Sequence, residues 1–584
     1  NALRNLEVFQ SWDFTGGAPT GSLINTIDLT LTPMGGRLLR KWLRYPLLDV
    51  TEIRARQDAV EWFVKKPAPK EKLREALTSV LDLERLLGRI RRKIAVPAEV
   101  VTLAQSLRAL PDIRATLEKA KAPTHFIAPL EQCADLVEYV GRAITERPPS
   151  DFERGNIIRP GFANELDELR DVLNGGRDFL SKFEARQRSR TGIKSLKVSY
   201  NKVFGYYIEV TKANLHLVPK DFIRKQTLVN AERYFTIELK EHEALIANAK
   251  ERILELEVNL YRQVCDELSR HYDRISKVAA GIAQLDVFTA LAEGATRFNY
   301  VRPILTESDE LNIQQGRHPM IEQRLEGRPF VANDTHLDHH ETQIMLLTAP
   351  NMAGKSVYLR QVALIVMLAQ IGSFVPAEAA TIGIIDRIFT RVGLTDFTLQ
   401  GHSSFMVEMI EAAAILHNAT PKSLILLDEV GRGTATVDGL SIARSIVEYL
   451  HNHPKVAAKT MFATHYHELT DCAAYLPRVQ NFHLAVKEIG SRVEYLHRVA
   501  PGRAEKSFGI HVAEIAGLPK PVIRRARALL HEHEANGHRT TPITAQQTKP
   551  LDWLREAIQT LDLNSMSPVE ALTKLFELQT KLKS

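Results

Sequence analysis

Apolar positions in the first 180 residues recur at helical spacing. Leu38, Leu39, Trp42 and Leu43 follow the i, i+3, i+4 pattern behind Thr32-Pro33, a pair suited to starting a helix. Leu81, Leu83, Leu86, Leu87 and Ile90 repeat that spacing and run into Arg89, Arg91, Arg92 and Lys93. This basic run reads as a solvated helix end, with a phosphate contact as the alternative. Between about Gly192 and Ile237 the period shortens. Ile193 to Tyr200 and Tyr206 to Thr211 predict two strands joined by Asn201-Lys202-Val203-Phe204-Gly205, and Thr227 to Thr236 predicts a third. Helical spacing then returns through Leu239, Leu245, Ile246, Ile253, Leu254 and Leu260, so a small sheet is inserted between two long helices. From about Tyr300 short apolar strands alternate with helices, as in a sheet covered on both faces.

Composition narrows the class. The 584 residues are 44% hydrophobic and 25% charged, as in ordinary globular domains, and are long enough for several of them. The longest apolar run, Val362 to Ile371, is short and carries Gln370, which argues against a membrane-spanning helix. Three scattered cysteines (Cys133, Cys265, Cys472) fit a reduced, cytoplasmic compartment. A net charge of +6 permits a nucleic-acid partner without demanding one. The inserted sheet sharpens that possibility. Lys194, Lys197, Lys202, Lys212, Lys220, Arg224, Lys225 and Arg233 interleave there with Tyr200, Phe204, Tyr206 and Tyr207. The polar stretch His531 to Lys549 reads as a linker. Its His531-Glu532-His533-Glu534 suits a solvated helix end better than a metal site. Ser567-Pro568-Val569-Glu570 is a capping box opening a short helix.

Chemistry concentrates in the α/β part. The strand pattern Gln343 to Thr348 leads into Ala349-Pro350-Asn351-Met352-Ala353-Gly354-Lys355-Ser356 and then an apolar helix from Val357. This approximates the phosphate-binding loop, with Ala349 at its first glycine position. Backbone N–H groups would hold phosphate oxygens, Lys355 would reach the β- and γ-phosphates, and Ser356 would ligate Mg²⁺. If the loop needs a positive φ at Ala349, its Cβ weakens nucleotide affinity. Seventy-three residues after Lys355, Ser423 to Leu427 ends in Asp428-Glu429, the pattern of a Walker B strand. Asp428 would hold the metal through water, and Glu429 would orient or deprotonate the attacking water. The strand Thr460 to Thr464 ends on His465, where a γ-phosphate sensor belongs; alone, it would be an ordinary capping histidine.

These motifs, with Gly431-Arg432-Gly433-Thr434 and Gly401-His402-Ser403-Ser404-Phe405-Met406-Val407-Glu408-Met409, closely resemble the MutS family of DNA mismatch-repair proteins. Leu3-Arg4-Asn5-Leu6-Glu7, Thr32-Pro33-Met34-Gly35, Lys202 to Ile208, Asn230 to Tyr234 and Gly316-Arg317-His318-Pro319 carry the resemblance along nearly the whole chain. It implies a multidomain α and α/β fold. A helical lever domain (1–180 and 239–299) would hold a β-rich DNA clamp insert (181–238). An ABC-type P-loop ATPase domain (300–534) would end in a helix-turn-helix dimer contact around Lys506 to Pro519. A linker and helical oligomerisation tail (535–584) would follow.

The resemblance further implies a DNA-dependent ATPase that binds ATP/ADP with Mg²⁺ and clamps duplex DNA as a homodimer. A tetramer through the tail, a MutL-type repair partner, and a cytoplasmic, nucleoid-associated location go with it. Ser403 would contact the partner subunit's γ-phosphate, Phe330 and His497 would pack around the adenine, and Lys194, Lys197 and Lys202 would contact DNA. The chain begins at Asn1 and would lack the family's mismatch-reading and connector domains, since none of its 22 phenylalanines stands two residues before a Glu as the family's wedge does. The competing expectations are a recombination-type paralogue and an unrelated ABC-type ATPase. The clamp-like insert opposes the first, and the missing Leu-Ser-Gly-Gly-Gln signature opposes the second.

Overall fold

A computed structural model describes the chain except for residues 1, 11–20, 202, 204, 326, 328, 351–352, 393–403, 490–491, 505–508, 536–572, 575 and 578–584. Two compact units emerge, 1–487 with 494–505, and 488–493 with 506–584. The first unit opens with short helices α1 (Ala2–Asn5) and α2 (Leu23–Ile27) and then α3 (Pro33–Arg44). There follow α4 (Val50–Lys65), α5 (Pro67–Leu77), α6 (Leu83–Arg91), α7 (Pro97–Leu107), α8 (Leu110–Lys119), α9 (Thr124–Ile127) and α10 (Ala134–Ala143). As expected, Thr32 caps α3 by accepting from the Gly35 amide, with Pro33 at the first position. Leu81 departs from its pattern: it precedes α6 and is exposed. The basic run after it is largely engaged, Arg89 with Glu99, Lys93 with Asp266, and Arg91 over the Tyr272 ring.

Two long helices, α11 (Asn164–Thr191) and α12 (Ile237–Arg270), pack together and carry the inserted sheet between them. That sheet has four strands, β1 (Lys197–Asn201), β2 (Gly205–Thr211), β3 (Ile223–Thr227) and β4 (Ala231–Phe235), in the order β1-β2-β4-β3. It exceeds the three-strand expectation, because Thr227 to Thr236 spans the end of one strand and all of the next. It has its own small core of Phe183, Ile193, Leu196, Ile208, Val210, Phe222, Tyr234 and Leu239.

Helix α13 (Tyr272–Arg297) is long and apolar enough to cross a membrane by composition, yet it runs buried through the core against α3 and α4. Its fully buried Asp286 accepts hydrogen bonds from the Leu31 and Thr32 amides and the Thr32 hydroxyl, at 2.7–3.1 Å. A Cβ on Gly35 would lie 2.2 Å from the Asp286 carboxylate, so that helix start tolerates only glycine there. Burial raises the Asp286 carboxyl above its ordinary range. Replacing Asp286 by alanine leaves three donors without that acceptor, the two from Thr32 buried, and is expected to destabilise this unit by about 3 kcal/mol. A thermal melt showing a midpoint drop of less than a degree would count against this.

The rest of the unit is built on strands. β5 (Ile304–Thr306), β6 (Leu311–Gly316), β7 (Asn333–Leu337) and β9 (Ala379–Gly383) form a sheet in the order β5-β9-β6-β7. β8 (Ile344–Thr348), β10 (Ile388–Arg391), β11 (Leu424–Asp428), β12 (Lys459–Thr464), β13 (Val479–Ile489) and β14 (Arg492–Pro501) form another, ordered β10-β11-β12-β8-β13-β14. From β10 to β13 the pairing is parallel, and every residue of β8, β11 and β12 is buried, which explains the apolar runs of β8 and β11. Helices α14 (Lys355–Gln370), α15 (Ser404–Asn418) and α16 (Thr436–Asn452) accompany this sheet. Helix α4 joins the helical part to the other sheet and to the end of α14, where Arg54, Arg56 and Gln57 donate to the Leu305, Ile371 and Pro303 carbonyls. The second unit holds α17 (Gly509–Ile515) packed on α18 (Lys520–Ala535). The expected capping box at 567–570 and most of the helix-turn-helix opening at Lys506 to Phe508 lie outside the described residues.

Candidate functional site

Parallel register brings three loops together. Asp428 of β11 lies opposite Ala463 of β12, and Thr464 lies opposite Thr348 of β8, so all three strands end at one level. Residues beyond the carboxyl ends of such strands converge on a common crevice. Ala349, Pro350, Ala353 and Gly354 lie between β8 and α14, Glu429 to Gly433 follow β11, and His465 follows β12. Gly354 has φ +104° and caps α14, whose amino end points its free N–H groups at the crevice. Ala349 is buried and does not take a positive φ. The expected backbone strain at that position is therefore absent, and its Cβ is accommodated.

Lys355 is 5% exposed, and its ammonium donates to the Ala349 carbonyl at 2.8 Å. It also lies 3.2–3.3 Å from the His465 ring nitrogens and 3.7 Å from the Glu429 carboxylate. Burial pushes its pKa down, so the site holds a poorly solvated cation ready for an anion. The Ser356 hydroxyl donates to Asp428 Oδ2. Asp428 is also buried, its carboxyl raised chiefly by that burial, and its Oδ1 has no partner among the described residues. A hydroxyl beside a carboxylate with a spare buried oxygen suits a hard divalent cation.

Glu429 sits at φ +57°, an uncommon conformation for a residue with a side chain, held by its amide bonding to the Ala463 carbonyl. One carboxylate oxygen hydrogen-bonds His465 Nε2, and the other accepts from Arg432 at 2.5 Å. The His465 contact, first among several, holds its pKa down to about 2. Glu429 is thus ionised and aimed, and the crevice beside it opens into a cavity of 420 Å³ bordered by Ser356, Asp428, Glu429 and Arg432. On the other side of the loop a 390 Å³ pocket has apolar walls from Ile321, Leu325, Phe330, Val331 and Leu484. His497 joins them, its ring 2.8 Å from the Ala353 carbonyl and its own carbonyl held by Asn333. The pocket opens on Gly354, at the start of α14.

Of the site residues expected from sequence, the structure assembles Ala349, Pro350, Ala353, Gly354, Lys355, Ser356, Asp428, Glu429 and His465 around one crevice, with Phe330 and His497 beside it. Asn351, Met352 and Ser403 lie outside the described residues, as does Lys202. Lys194 and Lys197 are exposed on the inserted sheet, far in sequence from the crevice, and form no ion pair among the described residues. Arg233 does not belong with them. It is half-buried, pairs with Glu209 and stacks over Tyr207. Sequence reasoning missed Arg391, Glu408 and Arg432 as members of the crevice. The available signals were a charge closing the β10 pattern and an acid within the Phe405–Met409 motif.

Comparison with known families matches MutS domain III to residues 1–292 and MutS domain V to residues 345–534. The DNA mismatch repair protein MutS of Dehalococcoides mccartyi is 48% identical over 591 residues, covering 100% of this chain and 68% of the relative. Its counterparts in Methanosarcina mazei and Desulfitobacterium hafniense are each 45% identical, over 99% and 100% of this chain and 68% of each relative.

Proposed function

We propose, for a chain that belongs to the MutS family, a DNA mismatch-repair ATPase that closes around duplex DNA as a dimer and switches its grip by binding and hydrolysing ATP. The observation that carries this reading is the meeting of Lys355, Ser356, Asp428, Glu429 and His465 at the ends of three adjacent parallel strands. In it, the loop amides and the α14 amino end bind the phosphates, and Lys355 reaches the outer two. Phe330 and His497 stack on the adenine. Ser356 and Asp428 would hold Mg²⁺, which would neutralise charge on the phosphates. Glu429 orients the attacking water and accepts its proton, while His465 holds Glu429 and meets the γ-phosphate. Ser403, by family resemblance, serves the opposite subunit's γ-phosphate. In the same reading the ATPase part is of the ABC type, and the tail supports a tetramer. A MutL-type protein is the downstream partner, and the working compartment is the nucleoid.

DNA binding is placed on the inserted sheet, where Lys194, Lys197, Lys212 and Lys220 are exposed. Such contacts reach phosphates rather than base edges, so binding is sequence-independent and salt-sensitive. Reversing Lys194, Lys197 and Lys202 to Glu is expected to weaken duplex binding at least tenfold at low salt. The slope of log affinity against log salt should become shallower by about one unit per lost phosphate contact. Fluorescence anisotropy at several salt concentrations measures both, with thermal midpoints as the folding control. Unchanged affinity would move the DNA surface elsewhere. Closure itself is tested by ATP-dependent retention on closed circular against linear DNA. Equal loss from both forms would contradict a clamp.

A further inference from the structure

We infer that Arg391 is a positioning residue for hydrolysis, fixing the Glu429 turn through Glu408; this rests on the ATPase reading above. Arg391 closes β10 and lies opposite Leu427 in the parallel ladder, one residue short of Asp428. It is 7% exposed and borders the same 420 Å³ cavity as Ser356, Asp428 and Glu429. A guanidinium buried there is costly unless it is compensated. Two carboxylates of α15 compensate it, Glu411 at 3.2 Å and Glu408 at 3.8 Å.

Glu408 is 4% exposed and divides its two oxygens. One faces Arg391, and the other accepts the Gly431 amide at 2.5 Å. Gly431 stands two residues after Glu429 and one before Arg432, the residue that grips the Glu429 carboxylate. Arg391 therefore holds Glu408, Glu408 holds the turn, and the turn aims Glu429 at an uncommon φ that local preference does not supply. A buried ion pair is poor at raising stability compared with well-packed apolar side chains. A pair retained at the wall of the hydrolysis cavity is better explained by orientation. It also fastens α15 to this chain's own crevice, and α15 follows directly on the segment that contains Ser403.

The test uses the 584-residue chain carrying Arg391→Met, Arg391→Lys or Glu408→Gln, the last two close in size to the originals. Steady-state ATP turnover and the Kd of a fluorescent ATP analogue are measured on each. The expected result is at least a tenfold fall in kcat for Arg391→Met and Glu408→Gln, with Kd within threefold of wild type. Arg391→Lys should recover part of the lost turnover, since it keeps the charge facing Glu408. Mixing Arg391→Met chains with Lys355→Ala chains should restore nothing, because Arg391 serves the loop of its own chain. Unchanged kcat, a parallel loss of affinity, or recovery in the mixture would overturn the inference. Absence of turnover in the wild-type protein would overturn the ATPase reading, and this inference with it.

Discussion

Replacing Glu429 by glutamine is expected to slow ATP turnover at least a hundredfold while leaving nucleotide affinity within about threefold of wild type. The side chain keeps its length, and its single amide oxygen can still take one of the two contacts, that with His465 or that with Arg432, which the two carboxylate oxygens now share between them. Ability to take a proton from water is lost. Because the carboxyl is held down to about 2, it is charged at every pH at which the protein works. Depression below the ordinary value means protonation would begin only far into acid. The pH profile of turnover should therefore show no acid limb from Glu429 between pH 5 and 9. A limb that vanishes in the glutamine variant would show that another state of Glu429, less tightly held, does the work.

Lys355→Ala is expected to have the opposite signature, a loss of nucleotide affinity of at least a hundredfold. Its ammonium is buried at the loop, bonded to the Ala349 carbonyl and close to Glu429 and His465. Charge–phosphate contacts in a water-poor site are strong because little competes with them. Burial lowers the Lys355 pKa, so the charge is a burden on the nucleotide-free fold. The melting midpoint without nucleotide should therefore stay level or rise in the variant. The rise in midpoint that saturating ATP gives the wild type should disappear. Scanning calorimetry with and without ATP reads both effects, and an ATP-dependent shift equal to the wild type's would remove Lys355 from the phosphate site.

The crevice was legible in the sequence because its parts are locally written. A buried strand, a loop and a helix amino end follow one another at 344–356, and a buried strand runs straight into Asp428 and Glu429. Arg391 and Glu408 were not legible, since their meaning arises only when β10 lies beside β11 and α15 folds over the turn. Strand β3 escaped notice because Arg224, Lys225 and Gln226 give it no apolar alternation; it is an edge strand paired on one side only. Arg233 looked like one more surface cation, yet cross-strand Glu209 neutralises it and Tyr207 covers it. The caution over Ala349 was sound chemistry applied to a φ that the loop does not use.

The 34 residues of α12 make a rod about 50 Å long at 1.5 Å per residue, with the four-stranded sheet at one end and the helical core at the other. Geometry then fixes a mechanical advantage. A tilt of about 5° where α12 meets the core carries its far end about 4 Å, more than the length of a hydrogen bond. Adjustments too small to disturb close packing where α12 meets α6 and α10 become, at the sheet, a displacement large enough to make or break a side-chain contact. Gearing of this kind trades force for travel, so the moving end is strong only while α11 stays braced against α12.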